Sequence, residues 1–333
     1  MNGKVVLITG GTGSFGQTFT KFICSKFKPK KVIIFSRDEY KQFNLSKKFV
    51  GPKYKGLRFF LGDVRDKDRL KRALNGVDIV IHAAALKQIT LAETNPQECV
   101  KTNIYGSQNL IDACIDCGVK KVIALSTDKA VNPINLYGAT KLAAEKLFIN
   151  SNIISANTKT VFSVVRYGNV LSSRGSVIPF FKNMLKQKKN FLPITDLGMT
   201  RFFISLKDSA NFVNDCINKM NGGEIFIPKM PSIKITDIAK ALNPNVKFKI
   251  TGIRPGEKLH EALCASESAH LTYQFKNSFL IVPSVTLPAR CNFKKIIKKY
   301  KGKKVKRNFE YTSDKNNFVK ISELKKILKD SSN

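Results

Sequence analysis

A glycine-rich turn near the amino terminus places the tightest constraint on how this chain can fold. The turn, Gly10-Gly-Thr-Gly13-Ser-Phe-Gly16, directly follows the apolar run 4–9 and opens a segment with helical periodicity. Glycines at this spacing let a strand turn sharply into a helix while backbone N–H groups approach an anion closely. The motif therefore predicts a dinucleotide pyrophosphate at this turn. The predicted contacts are Gly10, Thr12, Gly13, Ser14, Phe15 and Gly16.

Apolar runs and amphipathic helical stretches alternate through the first half of the chain, as a parallel sheet with crossover helices requires. The predicted strands are 4–9, 31–36, 57–61, 78–82, 119–126 and 160–166. The predicted helices are 14–26, 38–49, 66–75, 95–117 and 135–150, followed after a change of pattern by 176–188 and 207–220. We expect an α/β fold, a Rossmann-like doubly wound parallel sheet with a smaller mixed C-terminal substrate lobe.

The change of pattern also predicts where the two domains divide. Residues 1–168 are expected to form the nucleotide-binding Rossmann domain. Residues 169–333 are expected to form mainly the substrate-binding lobe, with some segments returning to the sheet.

Basic residues far outnumber acidic ones. The chain of 333 residues has 58 Lys and Arg against 24 Asp and Glu, a net charge of +34. Such an excess can mark binding to nucleic acid or a membrane surface. Lysines are spread over the whole sequence, however, and the dense run from Lys294 to Arg307 lacks interleaved aromatic and glycine residues. We therefore expect a solvated basic surface without nucleic acid as a partner, with a basic binding protein on a dehydrogenase scaffold as the non-enzymatic alternative.

The seven cysteines are odd in number and scattered, which suits reduced thiols. The sequence has no leader and no apolar run near the length of a membrane span. A cytoplasmic protein without membrane insertion is expected. Because Cys114-Ile-Asp-Cys117 has no second cysteine pair and no nearby histidine, no metal site is expected either.

The end of the second strand bears on which dinucleotide binds. Arg37 stands where an acidic residue would bind the ribose 2′-hydroxyl in an NAD enzyme, and Lys41 follows one helical turn later. Both charges would suit a 2′-phosphate, which favours NADP, whereas Asp38 favours NAD. Further predicted cofactor contacts are Asp63 and Val64 after the third strand and Ala83 after the fourth.

Tyr137 and Lys141 lie four residues apart, so one helical face would carry both side chains. The Lys141 charge is expected to lower the pKa of Tyr137, so that the phenolate can take a hydroxyl proton near neutral pH. Thr127, at the end of the fifth strand, would hydrogen-bond the same hydroxyl. This arrangement is typical of hydride-transfer chemistry.

Taken together, these motifs resemble the extended short-chain dehydrogenase/reductase superfamily, and more closely the inverting UDP-N-acetylglucosamine 4,6-dehydratases that begin pseudaminic acid synthesis. The resemblance covers nearly the whole chain. Its motifs are Thr9–Gly16, Ser36–Glu39, Gly62–Asp66, His82–Lys87, Leu125–Lys141, Arg166–Asn169, Ser173–Ser176, Ile194–Asp196, Met199–Arg201 and Arg254–Glu261.

The resemblance implies oxidation of the sugar at C4, loss of water across C5–C6, and hydride return to C6 with inversion at C5. It assigns removal of the C5 hydrogen to Lys129 and protonation of the departing 6-hydroxyl to Asp128. These roles require a neutral amine and a protonated carboxyl, although the two neighbours would prefer a charged pair. The Lys141 charge, the oxidised nicotinamide and desolvation are expected to favour the neutral forms. The implied catalytic set is Thr127, Asp128, Lys129, Tyr137 and Lys141.

The resemblance also implies a substrate site and a homo-oligomer. One departure is that Gln88-Ile89-Thr90 follows Lys87 where the family often has His-Val-Pro, in a loop expected to border the substrate. The implied substrate contacts are Lys87, Asn169, Thr195, Arg201, Arg254 and Glu257, and Lys87, Tyr137 and Lys141 are expected to contact the cofactor as well.

Two other enzyme classes stay open as alternatives. A UDP-sugar 4-epimerase shares the Thr-Tyr-Lys centre but needs no elimination pair such as Asp128-Lys129. A retaining 4,6-dehydratase is the second, although its membrane-anchored members carry transmembrane helices and Met in place of Tyr137.

Overall fold

A large twisted sheet covered by helices organises the protein. The computed structural model describes residues 1–171, 173 and 175–330. Arg174, within the Ser173–Ser176 motif, lies outside the described residues. The strands are β1 Val5–Thr9, β2 Lys31–Ser36, β3 Leu57–Leu61, β4 Ile79–His82, β5 Lys121–Thr127, β6 Val161–Tyr167, β7 Asn169–Val170, β8 Phe191–Ile194, β9 Thr200–Ile204, β10 Ile225–Pro228, β11 Ser232–Lys234, β12 Lys247–Ile250, β13 Ala262–Cys264, β14 Thr272–Gln274, β15 Ser278–Ile281, β16 Lys303–Lys304 and β17 Tyr311–Thr312.

The helices pack between and around these strands. They are α1 Ser14–Lys26, α2 Glu39–Lys48, α3 Lys67–Leu74, α4 Ile89–Thr94, α5 Pro96–Val100, α6 Gly106–Asp116, α7 Leu136–Ile154, α8 Val177–Lys186, α9 Leu206–Lys219, α10 Ile235–Leu242, α11 Phe293–Lys299 and α12 Ile321–Asp330. Short 3₁₀ turns span Pro52–Tyr54, Asp128–Ala130 and Ser266–Leu271, and a π-helical turn spans Lys101–Tyr105.

Within the described residues the main sheet has ten strands in the order β16-β14-β15-β10-β6-β5-β4-β1-β2-β3. The pairs from β3 through β1 to β6 and β10 are parallel, whereas β15, β14 and β16 add antiparallel pairs at one edge. The order 3-2-1-4-5-6 reverses direction beside β1, which opens a crevice at the carboxyl ends of β1 and β4. The predicted doubly wound α/β fold is confirmed.

The apolar runs become strands because crossover helices cover both faces of a parallel sheet. Strand β1 is buried along its whole length, and the large core continues into the helices through residues such as Phe19 and Leu110. This rigid core fixes the strand ends from which the site residues project.

The predicted helix 95–117 is interrupted in the structure. Helix α5 passes through the π-helical turn Lys101–Tyr105 before α6 begins. Within that turn the Asn103 side chain accepts a hydrogen bond from Leu86 N at 2.8 Å and donates one to Leu86 O at 2.9 Å. The irregular turn therefore anchors the loop after β4, which runs toward the site.

Segments after residue 168 divide between the main sheet and a smaller lobe. Strands β10, β14, β15 and β16 join the main sheet, while β7, β9 and β11 form a separate three-stranded sheet. A second apolar cluster that includes Phe181, Leu192 and Ile238 forms the core of the smaller lobe. Strands β8 and β12 pair beside it.

A buried ion pair holds the long helix α7 against β6. Arg166 Nε donates to Glu145 Oε1 at 2.9 Å, and Nη2 donates to Oε2 at 2.5 Å. Arg166 Nη1 also donates to Leu263 O at 2.9 Å, which ties in β13. These contacts fix the helix that carries Tyr137 and Lys141.

Candidate active site

The glycine turn packs its backbone closely against the loop after β4 and against the start of α1. Gly10 has a φ of 63°, and a Cβ there would lie 2.8 Å from Ala83 O. A Cβ on Gly16 would lie 2.5 Å from Gly11 Cα, so α1 could not pack this closely on the turn with any other residue. These positions fit a pyrophosphate on the positive end of α1. At the same turn Gly13 is the α1 N-cap, Thr12 and Phe15 are buried, and Ser14 begins the helix.

The loop after β4 is held against this turn by Thr9. The Thr9 hydroxyl accepts hydrogen bonds from the backbone N–H groups of Ala83 and Ala84, both at 3.2 Å, and contacts His82 Nδ1 at 2.8 Å. Complete burial and the Lys141 charge lower the pKa of His82 to about 3, so its ring is neutral. The small residues after β4 therefore lie directly beside the glycine turn.

The predicted charges for a 2′-phosphate lie after β2. Arg37 is half exposed, and its guanidinium is 3.6 Å from Asp63 Oδ2. Asp38 is the N-cap of α2, accepting from Lys41 N at 2.8 Å, and its carboxylate lies 2.5 Å from Lys41 Nζ. Capping of α2 therefore accounts for the presence of the Asp38 carboxylate beside the cations Arg37 and Lys41.

Asp63 and Val64 follow β3 at the same edge. The Asp63 carboxylate accepts from Arg65 Nε at 3.0 Å and Nη2 at 2.7 Å. Burial raises the pKa of Asp63, but the hydrogen bonds and charge of Arg65 outweigh burial and hold it below its usual value. Val64 is buried and packs beside Gly106 of α6. Contact between Asp63 and an adenine stays a prediction.

Strand β5 ends directly at the predicted catalytic cluster. Thr127 is its last residue and its hydroxyl donates to Asp128 Oδ1 at 2.9 Å. Lys129 Nζ donates to the same oxygen at 3.0 Å. Asp128 is fully buried, and its Oδ2 has no hydrogen-bond partner among the described residues. The structure thus brings an amine and a carboxyl together beside the crevice.

Tyr137 and Lys141 lie near this cluster, but the pKa of Tyr137 is raised, whereas the sequence predicted that it would be lowered. Burial raises the pKa of Tyr137 to about 12, while the Lys129 charge and a hydrogen bond with Thr127 lower it only in part. Lys141 Nζ donates to Leu125 O at 2.7 Å, and burial lowers the pKa of Lys141 to about 8. In this structure the charge of Lys129 therefore acts on the Tyr137 phenol, while the Lys141 amine is directed to a backbone carbonyl; the effect of Lys141 on Tyr137 stays a prediction.

The expectation of a neutral Lys129 is also corrected. Burial lowers the pKa of Lys129, but the charges of Asp128 and Glu261 outweigh burial and raise it above its ordinary range. Glu261 Oε1 lies 3.3 Å from Lys129 Nζ. Glu261 is the last residue of the Arg254–Glu261 motif, but the sequence does not reveal its role, because a buried carboxylate cannot be paired with its cation from spacing alone.

Two predicted substrate residues share this corner. Asn169, the first residue of β7, accepts a hydrogen bond from Lys129 Nζ at 3.4 Å. Burial and the Lys129 charge lower the pKa of Lys87, which places Lys87 in the same electrostatic environment. Gln88, in the loop that differs from the family pattern, lies beside Gly175. A Cβ on Gly175 would be 2.6 Å from Gln88 Nε2.

Three other predicted substrate residues form a second group. Arg201 in β9 is buried, and its guanidinium donates to Lys258 O at 2.9 Å. Glu257 Oε1 lies 3.4 Å from Arg201 Nη2 and 2.9 Å from Nη2 of the exposed Arg254. Glu261 connects the two groups, since its Oε1 is also 3.9 Å from Arg201 Nε.

Thr195 lies apart from the hydrogen bonds of either group. It follows β8, and its hydroxyl contacts Met199 Sδ at 3.2 Å. Its contact with a substrate stays a prediction.

The described residues bear on two other classes of site. In that part of the chain, no group of three or more His, Cys, Asp or Glu side chains is placed to hold a metal ion. None of the helices seen there combines the length and apolar character needed to cross a membrane.

The sheet order, the glycine turn and the Tyr137–Lys141 helix are those of the extended short-chain dehydrogenase/reductase fold. The family model described as "Polysaccharide biosynthesis protein" matches residues 6–283. The chain belongs to this family.

Relatives extend the likeness over almost the full length. The chain is 58% identical over 316 residues to the UDP-N-acetylglucosamine 4,6-dehydratase (inverting) of Campylobacter jejuni subsp. jejuni serotype O:23/36 (strain 81-176), covering 95% of this chain and 94% of the relative. It is 41% identical to a UDP-glucose 4-epimerase of Rickettsia bellii (strain RML369-C), covering 98% and 95%. The solved structure of Pen from Bacillus thuringiensis superposes with a TM-score of 0.88 at 36% identity, covering 99% and 98%.

Proposed function

We propose that this protein is an inverting UDP-N-acetylglucosamine 4,6-dehydratase. Its product is UDP-2-acetamido-2,6-dideoxy-β-L-arabino-hexos-4-ulose. The observation that carries the assignment is the Lys129–Asp128 contact of 3.0 Å at the end of β5, in a chain 58% identical to an enzyme of that name. A carboxyl and an amine side by side provide the acid and the base that loss of water requires.

Tyr137 begins the proposed reaction by taking the proton of the sugar 4-hydroxyl. NADP, when bound, supplies the hydride acceptor for C4 and later the hydride donor for C6. Burial raises the pKa of Tyr137 to about 12, and Lys141, one turn further along α7, is the cation proposed to stabilise its phenolate during the reaction. Thr127, the last residue of β5, is proposed to orient the same sugar hydroxyl.

Asp128 and Lys129 carry out the elimination. Lys129 first transfers a proton to Asp128 across their 3.0 Å contact, which turns the charged pair into a neutral amine and a carboxylic acid without any external proton. The amine then removes the C5 hydrogen, which the neighbouring ketone has acidified. Asp128 gives its proton to the departing 6-hydroxyl, and water leaves. A proton that originates from solvent water is then delivered to the opposite face of C5 as hydride returns to C6, and this completes the inversion.

The cofactor is proposed to be NADP because Arg37 and Lys41 flank the position of the ribose. Asp38, the residue that favoured NAD, is occupied as the α2 N-cap and ion-pairs with Lys41. A 2′-phosphate would add charge-assisted hydrogen bonds that a 2′-hydroxyl cannot match. Residues 1–168 are proposed to bind the cofactor and residues 169–333 to form mainly the substrate lobe.

The substrate lobe offers Arg201 and Arg254 for the diphosphate, and Glu257 for the ribose or uracil side. Free thiols at all seven cysteines support a reducing, cytoplasmic location. A homo-oligomer and a role at the start of pseudaminic acid synthesis complete the proposal.

Incubation of the purified protein with UDP-N-acetylglucosamine and NADP in deuterated water tests the assignment. The expected NMR spectrum contains a new C6 methyl group, deuterium at C5 and the inverted C5 configuration. A product that keeps its 6-hydroxyl and lacks deuterium at C5 would indicate a 4-epimerase, the activity in the name of the Rickettsia relative. Retained configuration at C5 would indicate a retaining dehydratase.

A further inference from the structure

Glu261 is a buried carboxylate without a role in the reaction described above. It precedes β13, is 3% exposed and contacts Lys129 Nζ at 3.3 Å. Its second oxygen, Oε2, is buried without a hydrogen-bond partner among the described residues. A buried carboxylate is costly unless it is paired, so its position beside Lys129 calls for an explanation.

The backbone of Glu261 is fixed on both sides. Its N–H donates to Ser313 Oγ at 2.9 Å, and Ser313 N donates to its carbonyl at 2.8 Å. Ser313 is itself fully buried, and its hydroxyl contacts Thr200 Oγ1 at 2.7 Å. The carboxylate is therefore presented to Lys129 from a rigid support.

Lys129 needs such a support because its side chain is long and has many rotamers. Asp128 is its chain neighbour and contacts the amine through one oxygen. A second carboxylate on an independent element restricts the amine further. The charged groups around Glu261 are Lys129, Asp128, Arg201 and Lys258, and all but Asp128 favour its ionised form.

We propose, building on the function assigned above, that Glu261 is a positioning residue that fixes the Lys129 amine for removal of the C5 hydrogen. The oxidation step does not depend on it, because that step is assigned to Tyr137, Thr127 and Lys141, which lie on α7 and β5. Loss of Glu261 therefore slows water loss while leaving C4 oxidation in place.

A single-turnover experiment with excess enzyme, NADP and UDP-N-acetylglucosamine separates the two steps. Reduced nicotinamide absorbance rises with C4 oxidation and falls when the hydride returns after elimination. For Glu261→Ala we expect a rise within about twofold of wild type and a fall slowed at least about tenfold, within the range of acid–base effects. Glu261→Gln keeps an acceptor oxygen beside Lys129 and is expected to recover part of the lost rate.

Glu224→Gln provides a matched control. Glu224 is also buried, but its carboxylate accepts from Ser163 Oγ at 2.5 Å and from Gly222 N at 2.9 Å, away from the cluster at the end of β5. The Glu224→Gln variant is expected to keep the wild-type ratio between the rates at which the nicotinamide absorbance rises and falls. If Glu261→Ala does not fold, Glu261→Gln carries the test, with a selectively slowed fall expected.

The outcomes distinguish this inference from the function on which it rests. A wild-type protein that yields neither reduced nicotinamide nor a 6-deoxy product overturns both. A wild-type protein that forms the product while the Glu261 variants keep the normal ratio overturns the positioning role alone. Equal slowing of both phases in the Glu261 variants would also overturn it, because that result is expected of a purely structural residue.

Discussion

Replacing Lys129 by methionine would leave two buried carboxyl groups without the cation between them. Lys129 Nζ lies 3.0 Å from Asp128 Oδ1 and 3.3 Å from Glu261 Oε1, and those two residues are 0% and 3% exposed. Methionine keeps the apolar stem and removes only the charge. Removing one partner of a buried ion pair costs about 3–5 kcal/mol. We expect Lys129→Met to lower the free energy of unfolding by about this amount near pH 8.

The loss of stability should depend on pH in a defined direction. Burial already raises the pKa of Glu261, and loss of the Lys129 charge would raise it further. A carboxyl with a raised folded pKa stabilises the fold below its unfolded pKa, and this contribution disappears as pH rises through the folded pKa. Each unit of pKa difference corresponds to about 1.36 kcal/mol. The deficit should therefore shrink to about 1 kcal/mol near pH 5.

Urea unfolding followed by circular dichroism at both pH values measures this difference. Lys120→Met is the matched control, because Lys120 Nζ lies 2.8 Å from Asp78 but its side chain is 59% exposed. That exposed pair should contribute less than about 1 kcal/mol at either pH. A Lys129→Met deficit that is equal at both pH values, or no larger than the control, would refute the charge arrangement described for this cluster.

Three further predictions address chemistry, cofactor choice and packing. Tyr137→Phe should abolish C4 oxidation, whereas Lys129→Met should permit C4 oxidation but block water loss. Both effects are measured as the amount of reduced nicotinamide in a single turnover. Normal formation of the 6-deoxy product by either variant would contradict the role assigned to that residue. Arg37→Ser should raise the KM for NADP at least about tenfold, since a charged hydrogen bond contributes about 1.5–3 kcal/mol, and leave the KM for NAD nearly unchanged. Gly16→Ala should lower stability by about 1–3 kcal/mol in urea unfolding, because its Cβ would meet Gly11 backbone; wild-type stability would show that the turn can yield.

Local sequence patterns were sufficient for the sheet and for the parts of the site close together in the chain. Strand β2 is Lys31–Ser36, as the apolar run predicted, because a strand buried on both faces must be nearly continuous in hydrophobicity. Tyr137 and Lys141 could be paired from a four-residue spacing, which fixes one helical face.

The predicted helix 95–117 shows where local reasoning fails. Its sequence has helical periodicity throughout, yet Lys101–Tyr105 forms a π-helical turn. Within that turn Asn103 satisfies both the N–H and the carbonyl of Leu86, a residue outside the helix. Periodicity carries no information about that partner.

The sequence by itself determined the doubly wound sheet and the glycine turn, and it predicted the site residues from Thr127 to Lys141, since all of these depend on spacing within one or two elements. Only the tertiary structure decided the charge state of that cluster. It buried Glu261 beside Lys129, directed Lys141 to a backbone carbonyl, and raised the pKa of Tyr137. Electrostatic energies depend on distance and burial in space, and neither quantity can be read from separation along the chain.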